Sequence, residues 1–101
     1  VIDTDTERAE IRDVILRNKY GLHVRPAGVF AKVASRYKAD VYVEKDGTSV
    51  SGKSIMALMT LEAVCGSQLR LIAKGEQRKE ALDDLAALVE RNFDIPEQQE
   101  N

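Results

Sequence analysis

The sequence predicts an α+β fold: a two-layer, open-faced sandwich with three helices on one face of a four-stranded antiparallel sheet, in the order β-α-β-β-α-β-α. Three observations carry this expectation. Short segments with period-two apolar spacing alternate with segments of helical spacing. An Asp46-Gly47 pair joins two of the strand segments as a hairpin. Each helix has one apolar stripe and each strand one apolar face, so a sheet covered on one side and wet on the other is the economical packing.

The first strand is read from Val14 and Leu16, which alternate with Asp13, Ile15 and Arg17. From Pro26 the period lengthens: Ala27, Phe30, Val33, Ala34 and Tyr37 recur at helical spacing to about Arg36, with Pro26 in the first turn, where its missing N–H costs nothing. Val41 and Val43 then alternate with Asp40, Tyr42 and Glu44, and Thr48 to Ser51 returns after Asp46-Gly47. Ser54 precedes Ile55, Leu58, Met59 and Leu61 as the N-cap of a short helix. Leu69, Leu71 and Ala73 mark a further strand, ended by Gly75, and Leu82, Leu85, Ala86, Val89 and Phe93 a long last helix.

With 101 residues the chain holds one small domain. Residues 1–10 read as a polar N-terminal extension, 11–93 as the domain and 94–101 as a polar tail, with Pro96 stopping any helix. Fifteen basic against seventeen acidic residues give a net charge of -2, which excludes the global basic field of a nucleic-acid or anionic-lipid binder. No apolar run approaches the roughly 20 residues of a membrane span, and a cytoplasmic location is the expectation. Cys65, the single cysteine, has no internal disulfide partner and is read as a core or half-buried thiol.

Chemistry concentrates in NKYGLHVRPAG, Asn18 to Gly28, which holds the single histidine. No Ser, Thr, Asp or Asn lies between Lys19 and Pro26 to cap the helix that follows, so its leading amides and the positive end of its dipole are available to an anion. Arg25 adds a guanidinium suited to phosphate oxygens, Gly21 allows a tight backbone path, and His23 supplies a nucleophilic nitrogen. A free imidazole, with a reference pKa of about 6.5, is substantially neutral at cytoplasmic pH and attacks phosphorus without a separate base. The competing reading is an incidental surface histidine at a helix start.

The run GLHVRPA, Gly21 to Ala27, resembles the active-site signature of the phosphocarrier protein HPr family, and GKSIMALMTL, Gly52 to Leu61, resembles the family's regulatory-serine segment at matching spacing. The similarity extends from about Asp13 to Phe93. It implies that His23 accepts a phosphoryl group at its δ nitrogen and that Arg25 stabilises the phosphate. It implies equally that Ser54 matches the serine an ATP-dependent HPr kinase/phosphorylase modifies in some bacteria. Val24, Gly28, Ile55, Met56 and Met59 correspond to the surface that docks partner proteins, Met56 being the one expected to be most exposed. The implied partners are Enzyme I, charged by phosphoenolpyruvate, and IIA-type sugar-specific proteins of the phosphotransferase system; no cofactor, metal, nucleic acid or membrane insertion is implied, and a monomer is expected. Two positions depart from the pattern: Tyr20 stands where relatives often have a small polar residue, and Glu62 replaces a common glycine.

Other readings compete. GTSVSGKS, Gly47 to Ser54, satisfies the GxxxxGK[ST] phosphate-loop pattern letter for letter, but its Thr48–Ser51 stretch reads as a hairpin strand and the chain is too short for the usual nucleotide-binding domain. Ser54 is equally well explained as a helix cap, and Ile55, Met56 and Met59 as core. A nitrogen-type phosphotransferase regulator, acting through phosphorylation-dependent protein binding, is the alternative to a sugar-branch carrier.

Overall fold

The structure, a computed structural model, describes residues 8–96. Its elements are β1 (Ala9–Ile15), α1 (Val24–Ala34), β2 (Asp40–Lys45), β3 (Thr48–Ser51), α2 (Ile55–Met59), β4 (Gln68–Lys74) and α3 (Arg78–Glu90), followed by a 3-10 turn at Asn92–Asp94. The order is the predicted one. The sheet runs β1-β4-β2-β3 with all pairs antiparallel, so the β1-α1-β2 connection steps over one strand position, which β4 fills. Val14, Val41, Val43, Leu69, Leu71 and Ala73 enter one buried cluster with Phe30 of α1, Leu58 of α2 and Leu82 and Leu85 of α3. Arg12, on the same side of β1 as Val14, reaches Asp83 of α3 and clamps helix to sheet.

The hairpin turn is the predicted one: Asp46 and Gly47 have φ of 50° and 84°, the left-handed pair a two-residue turn needs. Thr48–Ser51 pairs with β2, with Tyr42 opposite Ser51, and Gly52 N–H donates to the Val41 carbonyl at 2.7 Å. The segment matching a phosphate loop is thus sheet and sheet edge. A Cβ at Gly52 would stand 2.7 Å from Val41 Cγ1 and 3.1 Å from the Phe30 ring, so close packing is what requires glycine here.

Several boundaries differ from expectation. α1 begins at Val24, which puts Pro26 third in the helix; it is tolerated because the N–H groups of a first turn lack intrahelical acceptors anyway. α2 ends at Met59, and Leu61 is buried beyond it. α3 ends at Glu90, and Phe93 reaches the core through three successive residues of positive φ, Asn92 to Asp94, rather than on a continuing helix. The domain also extends past both of its predicted limits. Ala9 and Glu10 pair with Lys74 and Ala73, and Ile95 is buried; residues 1–7 and 97–101 of the two polar ends lie outside the described residues. Cys65 is exposed, with its Sγ 3.6 Å from the Arg17 carbonyl, because the α2–β4 loop carries it on the rim. The open face of the sheet is not wholly polar either: Ile11, 54% exposed, faces Ile72, which faces Tyr42.

Candidate functional site

The site begins with a turn. Gly21 N–H donates to the Asn18 carbonyl at 3.2 Å, and the buried Asn18 side chain returns a hydrogen bond from Nδ2 to the Gly21 carbonyl at 2.6 Å. Gly21 has φ of 68°, and Leu22 N–H donates to the Ala63 carbonyl at 2.9 Å. A Cβ at Gly21 would stand 2.3 Å from that carbonyl oxygen and 2.7 Å from Val64 Cα. The segment before α1 is thereby locked against the loop after α2.

This lock delivers His23 to the N-cap of α1 in an extended conformation, φ -86° and ψ -169°. Its side chain makes no capping hydrogen bond, and the first turn holds no acidic residue, so the positive end of the helix dipole is not neutralised there. The imidazole is half-buried, with Nε2 shielded from solvent. Arg25, second in the helix, is exposed. The Tyr20 ring stands edge-to-face to the imidazole at 6.2 Å between centroids, and Lys19 Nζ lies 5.2 Å from the Tyr20 centroid.

Beside it lies α2. Ser54 Oγ accepts from Ala57 N–H at 3.1 Å, the predicted cap. Leu58 alone of this helix is fully buried, so the reading of Ile55, Met56 and Met59 as core fails: Met56 is 80% exposed, and Ile55 and Met59 are exposed as well. A Cβ on Gly28 would meet Ile55 Cδ1 at 3.8 Å, which joins α1 to α2, and Val24 is exposed on the first turn of α1. Two further exposed apolar side chains belong to this end of the molecule: Tyr20, marked in the sequence as a departure but not as a surface residue, and Val64, which the sequence pattern did not mark. Val64 sits in an irregular loop with no periodicity to betray it, and only its approach to Gly21 places it. The carboxyls held below their usual range, Asp13 by Arg70 and Asp94 by Arg91, belong to β1 and to the turn after α3. Among the described residues no helix is long and apolar enough to cross a membrane.

A family model, the phosphorylation site of the PTS HPr component, matches residues 11–91. The chain belongs to the HPr family of phosphocarrier proteins. The HPr-like protein Crh of Bacillus subtilis is 49% identical to it over 77 residues, 76% of this chain and 91% of Crh. The phosphocarrier protein HPr of Pseudomonas aeruginosa is 46% identical over 83 residues, 81% of this chain and 92% of that protein. Among solved structures, HPr-C-His from Thermoanaerobacter tengcongensis superposes with a TM-score of 0.82 at 37% identity, covering 86% of this chain and 98% of that one. The open-faced sandwich is therefore the HPr fold. A crystal structure of Bacillus subtilis Crh, described as a dimer with a swapped domain, matches with a TM-score of 0.68 at 48% identity over 78% of this chain and 91% of Crh. The monomer expected from the sequence is thus not a property that membership in the HPr family secures. The departure at Glu62 has a structural counterpart: its φ of 50° is a conformation that glycine adopts without strain.

Proposed function

We propose that His23 is the phosphoryl acceptor of a phosphocarrier cycle: it takes the group from the phosphohistidine of Enzyme I and passes it to IIA-type proteins of sugar uptake, in the cytoplasm. The observation that carries this reading is the position of the imidazole at the N-cap of α1, beside a helix end with no acidic residue in its first turn. The shielding of Nε2 supports Nδ1 as the nitrogen that reacts. Its lone pair forms the new N–P bond as the N–P bond to the donor histidine breaks in line, and the donor ring keeps the electron pair. Charge spreads over the phosphoryl oxygens in that transfer; the positive end of the α1 dipole favours it, and in this reading the Arg25 guanidinium, from the first turn, stabilises it. Neither step consumes a metal or nucleotide on this chain, and positioning between two docked proteins supplies the catalysis.

Val24, Gly28, Ile55, Met56 and Met59 form the docking surface in this reading; the exposure of Val24, Ile55, Met56 and Met59 supports the role, and Gly28 lies partly buried between α1 and Ile55. Weak, quickly reversed contacts suit a shuttle. Ser54 is a regulatory position where a kinase for it is present: phosphorylation would put a charge of about -2 at the start of α2 beside Ile55 and Met56, at the docking surface itself. Intact mass after incubation with Enzyme I and phosphoenolpyruvate, handled at alkaline pH, tests the central step. One acid-labile phosphate on the wild type and none on His23→Ala is the expected result; equal behaviour of the two, with an Enzyme I that charges a known carrier, would remove His23 from the cycle.

A further inference from the structure

The χ2 torsion of histidine is broad, so a carrier imidazole needs something outside its own backbone to fix its plane. The plane matters because the nitrogen lone pair lies in it: the ring plane sets the direction from which phosphorus is approached in line. In this chain the Tyr20 ring meets the imidazole at 83° and 6.2 Å, within the range of a favourable edge-to-face pair. Tyr20 is itself restrained. It shares with Lys19 the centre of the turn closed by Asn18 and Gly21, and the Lys19 ammonium lies over its ring at 5.2 Å. The turn is fastened in turn to Ala63 by Leu22 N–H. From the buried Asn18 side chain to the imidazole there is a continuous chain of contacts.

We propose that Tyr20 is a positioning residue for phosphoryl transfer, which sets the plane of the His23 imidazole. This rests on the carrier role of His23. Tyr20 replaces the capping contribution that a small polar residue would make with control of ring direction. It acts through the histidine and touches no phosphate.

Two variants and two readouts test it. Tyr20→Phe keeps the ring; Tyr20→Leu keeps bulk and removes the ring; the side chain is 42% exposed on a turn, so neither threatens the fold. Steady-state transfer from Enzyme I should leave Tyr20→Phe within twofold of wild type, and Tyr20→Leu with a three- to tenfold lower kcat and a KM for the carrier within twofold. Carbon-13 relaxation of the His23 ring in the unphosphorylated protein should show a rigid ring in wild type and Tyr20→Phe and a mobile one in Tyr20→Leu. A Tyr20→Leu variant with wild-type kcat and a rigid ring overturns the proposal, and so does a raised KM at unchanged kcat, which would make Tyr20 a docking contact. Should the wild type take up no phosphate, the carrier reading falls, and the ring measurement alone still decides whether Tyr20 holds the imidazole.

Discussion

Replacing Gly21 by alanine probes the joint on which the whole site depends. Two costs are readable from the structure. At φ of 68° an L-residue is strained by roughly 1–2 kcal/mol relative to glycine. The new Cβ would also stand 2.3 Å from the Ala63 carbonyl oxygen and 2.7 Å from Val64 Cα, both backbone atoms that no rotamer change can move. Overpacking of this kind costs about 1–3 kcal/mol. That same oxygen accepts the Leu22 N–H, so relief of the clash stretches the hydrogen bond that ties the two loops together. The sum, about 2–5 kcal/mol, is a large part of the roughly 5–15 kcal/mol that stabilises a domain of this size. Urea unfolding followed by circular dichroism measures it, with Gly28→Ala as the control. Gly28 is inside α1 with its nearest prospective neighbour, Ile55 Cδ1, at an ordinary 3.8 Å, so alanine there should stabilise by about 0.5–1 kcal/mol. A Gly21→Ala loss below about 1 kcal/mol would mean that the loops are not locked as described.

Glu62→Gly should raise stability by about 0.5–1 kcal/mol, since it relieves a φ of 50° at an exposed position; a lower urea midpoint than wild type would count against it. Asp13 is held below its usual value of 3.8 by the hydrogen bond and charge of Arg70, and Asp94 likewise by Arg91. A carboxyl with a depressed folded-state value stabilises above its unfolded value and loses that contribution as pH falls through the folded one, so stability should decline below about pH 4. In Asp13→Asn and Asp94→Asn the decline should be shallower, and urea midpoints that fall in parallel with wild type from pH 5 to 2 would refute the assignment.

The element order was legible because the two periodicities speak for themselves: Val14, Val41, Val43, Leu69 and Leu71 alternate, and Phe30, Val33, Leu82 and Leu85 recur at helical spacing. Where the reading slipped, a local signal was overruled by long-range packing. Pro26 looks like a first helical residue, yet the helix starts at Val24 because the joint at Gly21 brings His23 to the N-cap position. Phe93 continues the apolar stripe of α3 in sequence but reaches the core only after the chain has left the helix. Ile11, Ile72 and Tyr42 carry strand propensity without burial, and nothing in a period-two pattern separates the wet face from the dry one when both contain apolar residues.

The site divides in the same way. The side chains proposed for the chemistry, His23 and Arg25, and the cap at Ser54 were legible because each follows from neighbours along the chain: a helix start with no polar cap, a guanidinium in the first turn, a serine before an apolar run. What aims them was not. Asn18 reads as an ordinary polar loop residue, yet it is the one buried polar side chain described in the core, because its amide must hold the carbonyl of Gly21. Ala63 and Val64 lie 42 and 43 residues after Gly21 in an irregular loop, and their pressure on Gly21 arises only when α2 is packed beside α1. Tyr20 carries the same lesson furthest: as a letter it breaks the family's pattern, and only its 83° approach to the imidazole, with Lys19 over its ring, gives the exception its proposed part in fixing the plane of the His23 ring. Chemistry in this fold is written locally and its direction is set from a distance.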